Sequence, residues 1–332
     1  MNTKEKKNKL SIRYPQEIIK RSLWYLFTVL LIFYSISGCS FSKKKYSIQT
    51  DSLQVYGDNA NNLIAWIADF HYRNGKIYIW DSVQLKMFIY SINGKLIKKV
   101  KYKEGKGPGE LSKSIYYFDI ISDTTLVFLD FMQKRIQFIS TNGNYIKEFH
   151  TQFTPWQIFY RNNLLYIVSV DFNALIHIYT LDGKDIGHIV KPFNSIDKSL
   201  MLPFANIEDD LSVYYGNTTK TEISKWQNDK FQWKFKDENL GLISSTSLEP
   251  SKGIWLSIFT YKDFLIASAS PGNPKIGETI LLLDKNTGDL LSVKRRTNPF
   301  FAKSFEKGKY IFIRKDAPYP HLNRINLKIV KK

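Results

Sequence analysis

The chain has 332 residues, of which 48 are lysine or arginine and 30 are aspartate or glutamate, and its formal net charge is +18. Aromatic residues make up 15% of the sequence, which favours β-structure and excludes the aromatic-poor composition of disordered chains. Cysteine occurs once, so an internal disulfide is excluded and the fold must be stabilised by packing.

The first 38 residues predict an export signal that is not part of the folded domain. Basic residues precede an apolar stretch at 23–36, which is shorter than the roughly 20 residues that cross a bilayer. Small residues then lead to Cys39. This arrangement resembles the lipobox of bacterial lipoproteins, in which the cysteine is lipidated and becomes the mature N-terminus; the alternative is an uncleaved anchor helix with an incidental cysteine. We expect a signal peptide at 1–38, a tether at 39–45 and one domain at 46–332.

From residue 46 onward, a pattern of short apolar strands and tight turns recurs six times. The first copy spans residues 74–100 and contains Asn93-Gly94, a strong signal for a two-residue hairpin turn. A repeat of 40–50 residues with several strands in each copy is typical of a β-propeller. Equivalent points in the six copies, which are 39–52 residues apart, are Ile79, Phe128, Ile167, Tyr214, Ile266 and Phe312.

The side-chain pattern favours this all-β fold over a β-sandwich. Residues 77–80 and 126–129 are apolar at every position, so both faces of these strands need cover, and stacked blades provide it. No helical pattern intervenes to build an α/β sheet. The sequence therefore predicts a six-bladed β-propeller of four-stranded antiparallel blades. We expect the segment 46–56 to pair with the last blade and remove its exposed edge.

A glycine-rich phrase, Gly105-Lys106-Gly107-Pro108-Gly109-Glu110, lies between the first two copies. It departs from both the P-loop and the dinucleotide fingerprint, so it predicts a rigid crossing between blades. A copy that ends in Asn-Gly-Lys, followed by this phrase and preceded by a lipobox, resembles the six-bladed propeller lipoproteins of Gram-negative anaerobes, relatives of the NHL-repeat and TolB-like propellers. The resemblance implies a cell-envelope protein that is lipid-anchored to the outer membrane. Lysines at 43–45 leave the side of that membrane open.

Acidic and aromatic residues on the innermost strands are the candidates for a site. Asp69, Asp119 and Glu208 stand at similar points of three copies and could converge in the channel on a hard cation such as Ca²⁺, or they simply begin turns. Trp156, Trp255 and Phe300-Phe301 start other innermost strands and either bind sugars and partner side chains or pack between blades. With Lys106, the two tryptophans are predicted at the mouth of the channel where the crossings between blades lie. The five histidines have no metal-ligand spacing and are expected to be isolated: His71, His150, His177, His188 and His321.

Two functional hypotheses follow. The first is a membrane-anchored, non-catalytic binding or scaffold propeller that recognises a glycan, a peptide or an envelope protein through the face that carries the crossings. It has no cofactor, and nucleic acid is not expected as a partner because an exported lipoprotein rarely meets it. The second is a propeller hydrolase or lyase with a metal in its channel. The sequence offers no Gly-x-Ser-x-Gly elbow for nucleophilic catalysis, which favours the first hypothesis.

Overall fold

The structure is a computed structural model that describes residues 46–57, 63–170, 175–189, 204–217, 221–237, 240, 254–270, 278–296, 301–316 and 319–331. The predicted signal peptide, Cys39 and the tether lie outside these residues. The described strands all fall within one compact unit, Lys44–Lys332. In this part of the chain, no helix has the length and apolar character needed to cross a membrane.

Six four-stranded antiparallel sheets follow one another along the chain as blades of a propeller ring. The strand β1 (Tyr46–Tyr56) comes first and is described with the last blade. Blade 1 contains β2 (Ile67–Arg73), β3 (Lys76–Asp81), β4 (Lys86–Ser91) and β5 (Leu96–Lys101). The short strands β6 (Lys103–Glu104) and β7 (Glu110–Leu111) form a parallel pair after it. Blade 2 contains β8 (Tyr117–Ser122), β9 (Thr125–Asp130), β10 (Arg135–Ser140) and β11 (Tyr145–His150). Blade 3 contains β12 (Pro155–Arg161), β13 (Leu164–Ser169), β14 (Ile176–Thr180) and β15 (Asp185–Ile189).

The second half of the chain repeats this order. Blade 4 contains β16 (Phe204–Ile207), β17 (Val213–Asn217), β18 (Glu222–Gln227) and β19 (Lys230–Lys236). Blade 5 contains β20 (Ile254–Tyr261), β21 (Phe264–Ser270), β22 (Glu278–Asp284) and β23 (Leu290–Arg296). Blade 6 contains β24 (Phe301–Phe305), β25 (Tyr310–Lys315) and β26 (His321–Lys331), with β1 as its outermost strand. The predicted six-bladed β-propeller is confirmed.

The core lies between neighbouring blades, which is why the middle strands are apolar on both faces. In β3 every residue from Ile77 to Asp81 is buried. The indole of Trp80 packs edge-on against Phe128 of blade 2, with 5.1 Å between ring centroids, and its Nε1–H donates to the Ile115 carbonyl at 2.8 Å. Such contacts bury strand faces that a one-sided sheet would leave in water.

The first strand of the domain closes the ring, as the sequence predicts. β1 pairs antiparallel with β26 from Tyr46 opposite Lys331 to Tyr56 opposite Leu322. Blade 5 also contacts β1, because Ser292 Oγ donates to the Tyr46 carbonyl at 2.9 Å and Lys294 Nζ donates to the Ile48 carbonyl at 2.8 Å. The two ends of the described chain thus meet in blade 6, and the edge of β26 is covered.

The alternation of strand direction gives the ring two faces. The crossing face carries the connections from each blade to the next and the hairpin between the second and third strands of each blade. The hairpin face carries the remaining hairpins. It also carries the beginning of β1, since Tyr46 lies opposite Lys331 at the end of β26.

Candidate functional site

Three ionisable residues occupy one register position on the innermost strands of blades 6, 1 and 2. Each lies opposite the third residue of the second strand of its own blade, and the pairs are Lys303 with Phe312, His71 with Tyr78 and Asp119 with Val127. Asp69 lies two residues before His71, opposite Trp80. The register shifts at different points in β2 and β8, so the counterpart of Asp119 in blade 1 is His71 and not Asp69, as spacing alone suggests.

His71 stands between two carboxylates from different blades. Its Nε2 lies 3.2 Å from Asp69 Oδ2, and its Nδ1 lies 3.3 Å from Asp119 Oδ1. Lys303 Nζ pairs with Asp69 Oδ1 and lies 3.2 Å from His71 Nε2. The imidazole also packs edge-on against Phe118, with ring centroids 4.8 Å apart. Both ring nitrogens are therefore engaged, and the expectation of an isolated histidine is wrong for His71.

The carboxylate of Asp69 is only 1% exposed, and it is hydrogen-bonded to backbone N–H groups and paired with Lys303. Oδ1 accepts the Phe70 N–H at 2.8 Å, and Oδ2 accepts the Phe118 N–H of blade 2 at 3.4 Å. Burial by itself would raise the pKa of Asp69, but the Lys303 ammonium and His71 outweigh burial and hold the pKa below its usual value. Asp69 is thus a buried carboxylate whose charge is balanced by its neighbours.

Asp119 accepts the same two kinds of backbone hydrogen bond as Asp69, although it occupies a different register position on its strand. Its Oδ1 accepts the N–H of Ile120 at 2.7 Å, and its Oδ2 accepts the N–H of Tyr160 in blade 3 at 2.8 Å. Arg161 Nη1 lies 3.3 Å from the same oxygen, and Arg161 Nε donates to the Ile207 carbonyl of blade 4 at 3.1 Å. Each aspartate therefore binds the backbone of its own strand and of the next blade.

Glu208, Thr260 and Ser304 continue the chain of contacts through the other blades. The hydroxyl of Thr260 in blade 5 donates to Glu208 Oε1, and Lys285 Nζ lies 2.7 Å from Glu208 Oε2. Ser304 Oγ of blade 6 donates to the Thr260 carbonyl at 2.6 Å. With the contact between Lys303 and Asp69, side-chain contacts now bridge all six junctions between blades. We call this set the polar belt: Asp69, His71, Asp119, Arg161, Glu208, Thr260, Lys285, Lys303 and Ser304.

The three residues predicted to converge on a cation do not all come together. Asp69 and Asp119 flank His71, whereas Glu208 contacts Thr260 and Lys285. Within the described ranges, no group of three or more His, Cys, Asp or Glu side chains is arranged to hold a metal ion. The oxygens of Asp69 and Asp119 already accept hydrogen bonds from backbone N–H groups, and lysine, arginine and histidine side chains lie against them. Ca²⁺ binding stays a prediction.

The glycine-rich crossing is held from below by Arg135, which is a buried residue of β10. Its Nη1 donates to the carbonyl of Lys106 at 2.8 Å, and its Nη2 donates to the carbonyl of Glu110 at 3.0 Å. At Gly105, where φ is +157°, a Cβ would lie 2.0 Å from Glu110 Oε2. The glycine-rich phrase therefore forms a tight crossing between blades 1 and 2, and its rigidity stays a prediction. Lys106 is exposed, and its carbonyl contacts the third strand of blade 2 and not an innermost strand that lines the channel.

Trp156 lies at the crossing-face end of β12, at a register shift between Pro155 and Gln157. It is half-buried and packs edge-on against Tyr117 and Phe131 of blade 2, at 5.9 and 6.0 Å between centroids. Its position thus combines packing between blades with partial exposure. The backbone of Trp255 lies in β20, opposite Ala269, and its side chain is outside the described part. Phe301 is buried, and Phe300 lies outside the described residues.

The crossing face carries further apolar side chains that the sequence alone did not single out. Trp66 precedes β2 and is 37% exposed, and the Arg314 guanidinium stands 4.6 Å from its ring centroid. Arg314 Nη1 donates to the Ile67 carbonyl at 3.0 Å. Tyr116 is 44% exposed before β8, and Met132 is 67% exposed in the hairpin after β9. Three aromatic residues and one methionine, spread over the crossing-face ends of blades 1, 2 and 3, are together called the aromatic surface: Trp66, Tyr116, Met132 and Trp156.

Comparison with known proteins agrees with this architecture. The DUF5128 family model, described as a 6-bladed beta-propeller, matches residues 59–263. No curated protein matches the chain.

Three solved structures illustrate the shared fold. A member of the DUF4221 family from Bacteroides vulgatus ATCC 8482 is 11% identical with a TM-score of 0.63, and the alignment covers 87% of this chain and 100% of that one. A protein described as exported, from Bacteroides fragilis NCTC 9343, is 11% identical with a TM-score of 0.59, covering 86% and 96% of the two chains. Virginiamycin B lyase from Staphylococcus aureus is 12% identical with a TM-score of 0.51, covering 85% and 99%. At these identities the likeness is one of fold alone.

Proposed function

The chain belongs to the DUF5128 family of six-bladed β-propellers, and we propose that it is a membrane-anchored, non-catalytic binding or scaffold protein. Its partner is a glycan, a peptide or an envelope protein, and the partner binds across the crossing face. The protein is lipidated at Cys39 and attached to the outer membrane.

The observation that carries this proposal is that the ionisable side chains of the polar belt are already paired with one another and with the backbone. Asp69 and Asp119 accept backbone N–H groups, and Lys303, His71 and Arg161 lie against them. Acid–base and nucleophilic catalysis need a side chain that can exchange a proton with the substrate or attack it. The described members of the belt contact one another and the backbone of neighbouring blades, which supports a role in holding the ring together.

The aromatic surface supports the crossing face as the binding face. Exposed Trp, Tyr and Met side chains are enriched where proteins bind partners, and Trp66 is backed by Arg314. Arg135 fixes the neighbouring crossing through the Lys106 carbonyl. A surface that is already rigid loses little conformational entropy on binding.

The lipobox at Cys39 supports the membrane anchor and the cell-envelope location. One structural neighbour is described as exported, which agrees with that location but concerns the other protein. Replacing Cys39 by Ala should prevent lipidation and release the protein from membranes. If Cys39→Ala matured at the same site and fractionated with membranes like the wild type, the anchor would be excluded.

A hydrolase or lyase acting in the channel is the second candidate. Its support is His71, which has a carboxylate oxygen within 3.3 Å of each ring nitrogen, and one structural neighbour is named as a lyase. A Ca²⁺ ion at this point would have to displace Lys303 or Arg161 from the aspartates. We therefore rank the hydrolase or lyase function below the binding function.

A glycan array and a pull-down from envelope extract, both with residues 46–332, test the proposal. A specific partner whose binding is lost in Trp66→Ala and retained in Lys184→Ala, a change at an exposed residue of the hairpin face, would support it. Turnover of a captured compound that is lost in His71→Ala, with the fold intact, would support the enzyme instead.

A further inference from the structure

We infer that the hairpin face of blades 5 and 6 rests on an anionic bilayer surface and that the crossing face is directed away from that bilayer. The inference deepens the proposed function and depends on the lipidation of Cys39. Three observations carry it: the position of the first residue of β1, the length of chain that precedes it, and the charges around it.

The first residue of β1 is fixed on the hairpin face between blades 5 and 6. Tyr46 pairs with Lys331, and its carbonyl accepts a hydrogen bond from Ser292 Oγ. Its ring packs edge-on against Phe264, with centroids 5.6 Å apart. Phe264 begins β21 directly after the turn at 262–263. The chain from the lipid therefore joins the propeller at this point of the hairpin face.

The short chain between Cys39 and Tyr46 argues against an orientation in which the crossing face lies on the bilayer. Cys39 precedes Tyr46 by seven positions, and a fully extended chain of that length spans at most about 25 Å. The strand β1 has 11 residues and extends roughly 33 Å from Tyr46 to its crossing-face end at Tyr56. The backbone of Cys39 therefore stays short of the crossing-face end of β1, so the anchor holds the hairpin-face end of β1 nearer to the bilayer than its crossing-face end.

The distribution of exposed charged residues indicates which part of the hairpin face contacts the bilayer. The turns of blades 5 and 6 touch, because a Cβ on Gly308 would lie 2.9 Å from the side chain of Tyr261. The exposed charged residues of the hairpin-face turns of blades 5 and 6 and of the end of β26 are Lys262, Lys307, Lys309 and Lys331, together with Asp263, Asp289 and Glu306. The hairpin-face ends of blades 2, 3 and 4 instead expose Asp123, Asp182, Asp209, Asp210 and Asp229, together with Lys184 and Lys230. Among these aspartates, Asp123 is paired with Lys76 and Asp182 with Lys147. Anionic lipids attract the first group and repel the second.

The proposed orientation leaves the aromatic surface free for a partner. Trp66, Tyr116 and Met132 precede innermost strands or lie in a crossing-face hairpin, on the side opposite the end of β1 that the anchor holds. A binding protein held in this way presents its partner site to the compartment and not to its own membrane.

Site-directed fluorescence in vesicles tests the orientation with the full, lipidated chain. Lipidated Cys39 leaves an engineered cysteine as the reactive thiol, so one bimane probe is placed at Asn286→Cys on the hairpin face of blade 5 and, in a second protein, at Val83→Cys on the crossing face; both positions are exposed. The vesicles contain phosphatidylethanolamine, phosphatidylglycerol and a lipid with a nitroxide on its headgroup. We expect several-fold stronger quenching at position 286 than at position 83. Equal quenching, or stronger quenching at position 83, would overturn the inference.

Charge-reversal variants in the same experiment measure how much the lysines contribute to membrane contact. Lys307→Glu with Lys309→Glu should lower the quenching at position 286, and raising the salt concentration should do the same; the matched change Lys184→Glu in blade 3 should leave it unchanged. An equal effect of both changes would overturn the role of the blade 5 and 6 lysines. The mass of the N-terminal peptide reports lipidation separately. An unlipidated peptide overturns the anchor and this inference together, whereas a lipidated peptide with the opposite quenching pattern overturns the orientation alone.

Discussion

The imidazole Nδ1 of His71 lies 3.3 Å from Asp119 Oδ1, across the junction between blades 1 and 2. On the other side of the same ring, Nε2 lies 3.2 Å from Asp69 Oδ2. One buried side chain thus joins two carboxylates that also bind backbone N–H groups of the following blades. The ionisable side chains on the innermost strands therefore link neighbouring blades of the ring.

Removing the imidazole should destabilise the ring. In His71→Ala the carboxylates of Asp69 and Asp119 lose a shared partner while they stay buried, and we expect the free energy of unfolding to fall by about 3 kcal/mol. Urea unfolding measures it. His150→Ala, a change at an exposed histidine of β11, is the control and should have little effect. An unchanged unfolding free energy in His71→Ala would mean that the imidazole does not hold the blades together.

Asp69 predicts how stability depends on pH. Its pKa in the folded protein is held below the ordinary value of 3.8, so the charged carboxylate stabilises the fold above that value and the stabilisation is lost as pH falls through the folded pKa. The difference in unfolding free energy between wild type and Asp69→Asn should therefore shrink as the solution is taken from about pH 6 to about pH 3.

The comparison variant for this pH series is Ser304→Ala, which removes a hydrogen bond to the Thr260 carbonyl that carries no charge. Its difference from wild type should stay constant over the same range. A difference for Asp69→Asn that stays equally constant would show that Asp69 does not contribute through its charge.

Ring closure by β1 should be essential for stability. Deleting residues 46–56 removes the pairing with β26 and exposes its edge, and we expect the melting temperature to fall by about 10 °C or more. Ser292→Ala, which removes only the hydrogen bond to the Tyr46 carbonyl, should have a much smaller effect in the same melting experiment. A deletion variant that melts like the wild type would mean that the ring closes without this strand.

The sequence repeat predicts the propeller fold, but it does not predict the contacts of the polar belt. Apolar strands such as 77–80 and 126–129 recur at a spacing that few folds other than a propeller produce. The partnership of His71 with Asp119 depends on the register of β2 and β8, which differs because the two strands are interrupted by shifts at different points. Spacing along the sequence therefore pairs Asp69 with Asp119, whereas the observed register pairs His71 with Asp119.

The sequence does not indicate the positions of Arg135 and Trp66, for two other reasons. Arg135 and Gln137 interrupt the apolar run of β10, and such polar residues in a buried strand could have signalled a buried partner. Here that partner is the crossing at 105–110, which Arg135 reaches through carbonyl groups. Trp66 lies outside any strand, where no periodicity indicates its exposure.

Lys106 and Trp156 should contribute to partner binding in different ways. Lys106 is exposed on a fixed crossing, so Lys106→Ala should weaken binding more at low salt than at high salt, because its contribution is Coulombic. Trp156→Ala should weaken binding at both salt concentrations, because stacking and apolar contact are not screened. Titration of the captured partner at two salt concentrations measures both effects. Wild-type affinity in both variants, with binding lost on changes to the hairpin face, would contradict the assignment of the face.

The most direct test of a scaffold with a separate binding face compares two variants for affinity and stability together. We predict that Tyr116→Ala combined with Met132→Ala, changes at two exposed residues of the crossing face, weakens binding of the captured partner about tenfold or more and leaves the melting temperature nearly unchanged. His71→Gln should lower the melting temperature and retain the affinity. The opposite pattern, in which His71→Gln abolishes binding or turnover in a protein that melts like the wild type, would contradict the account.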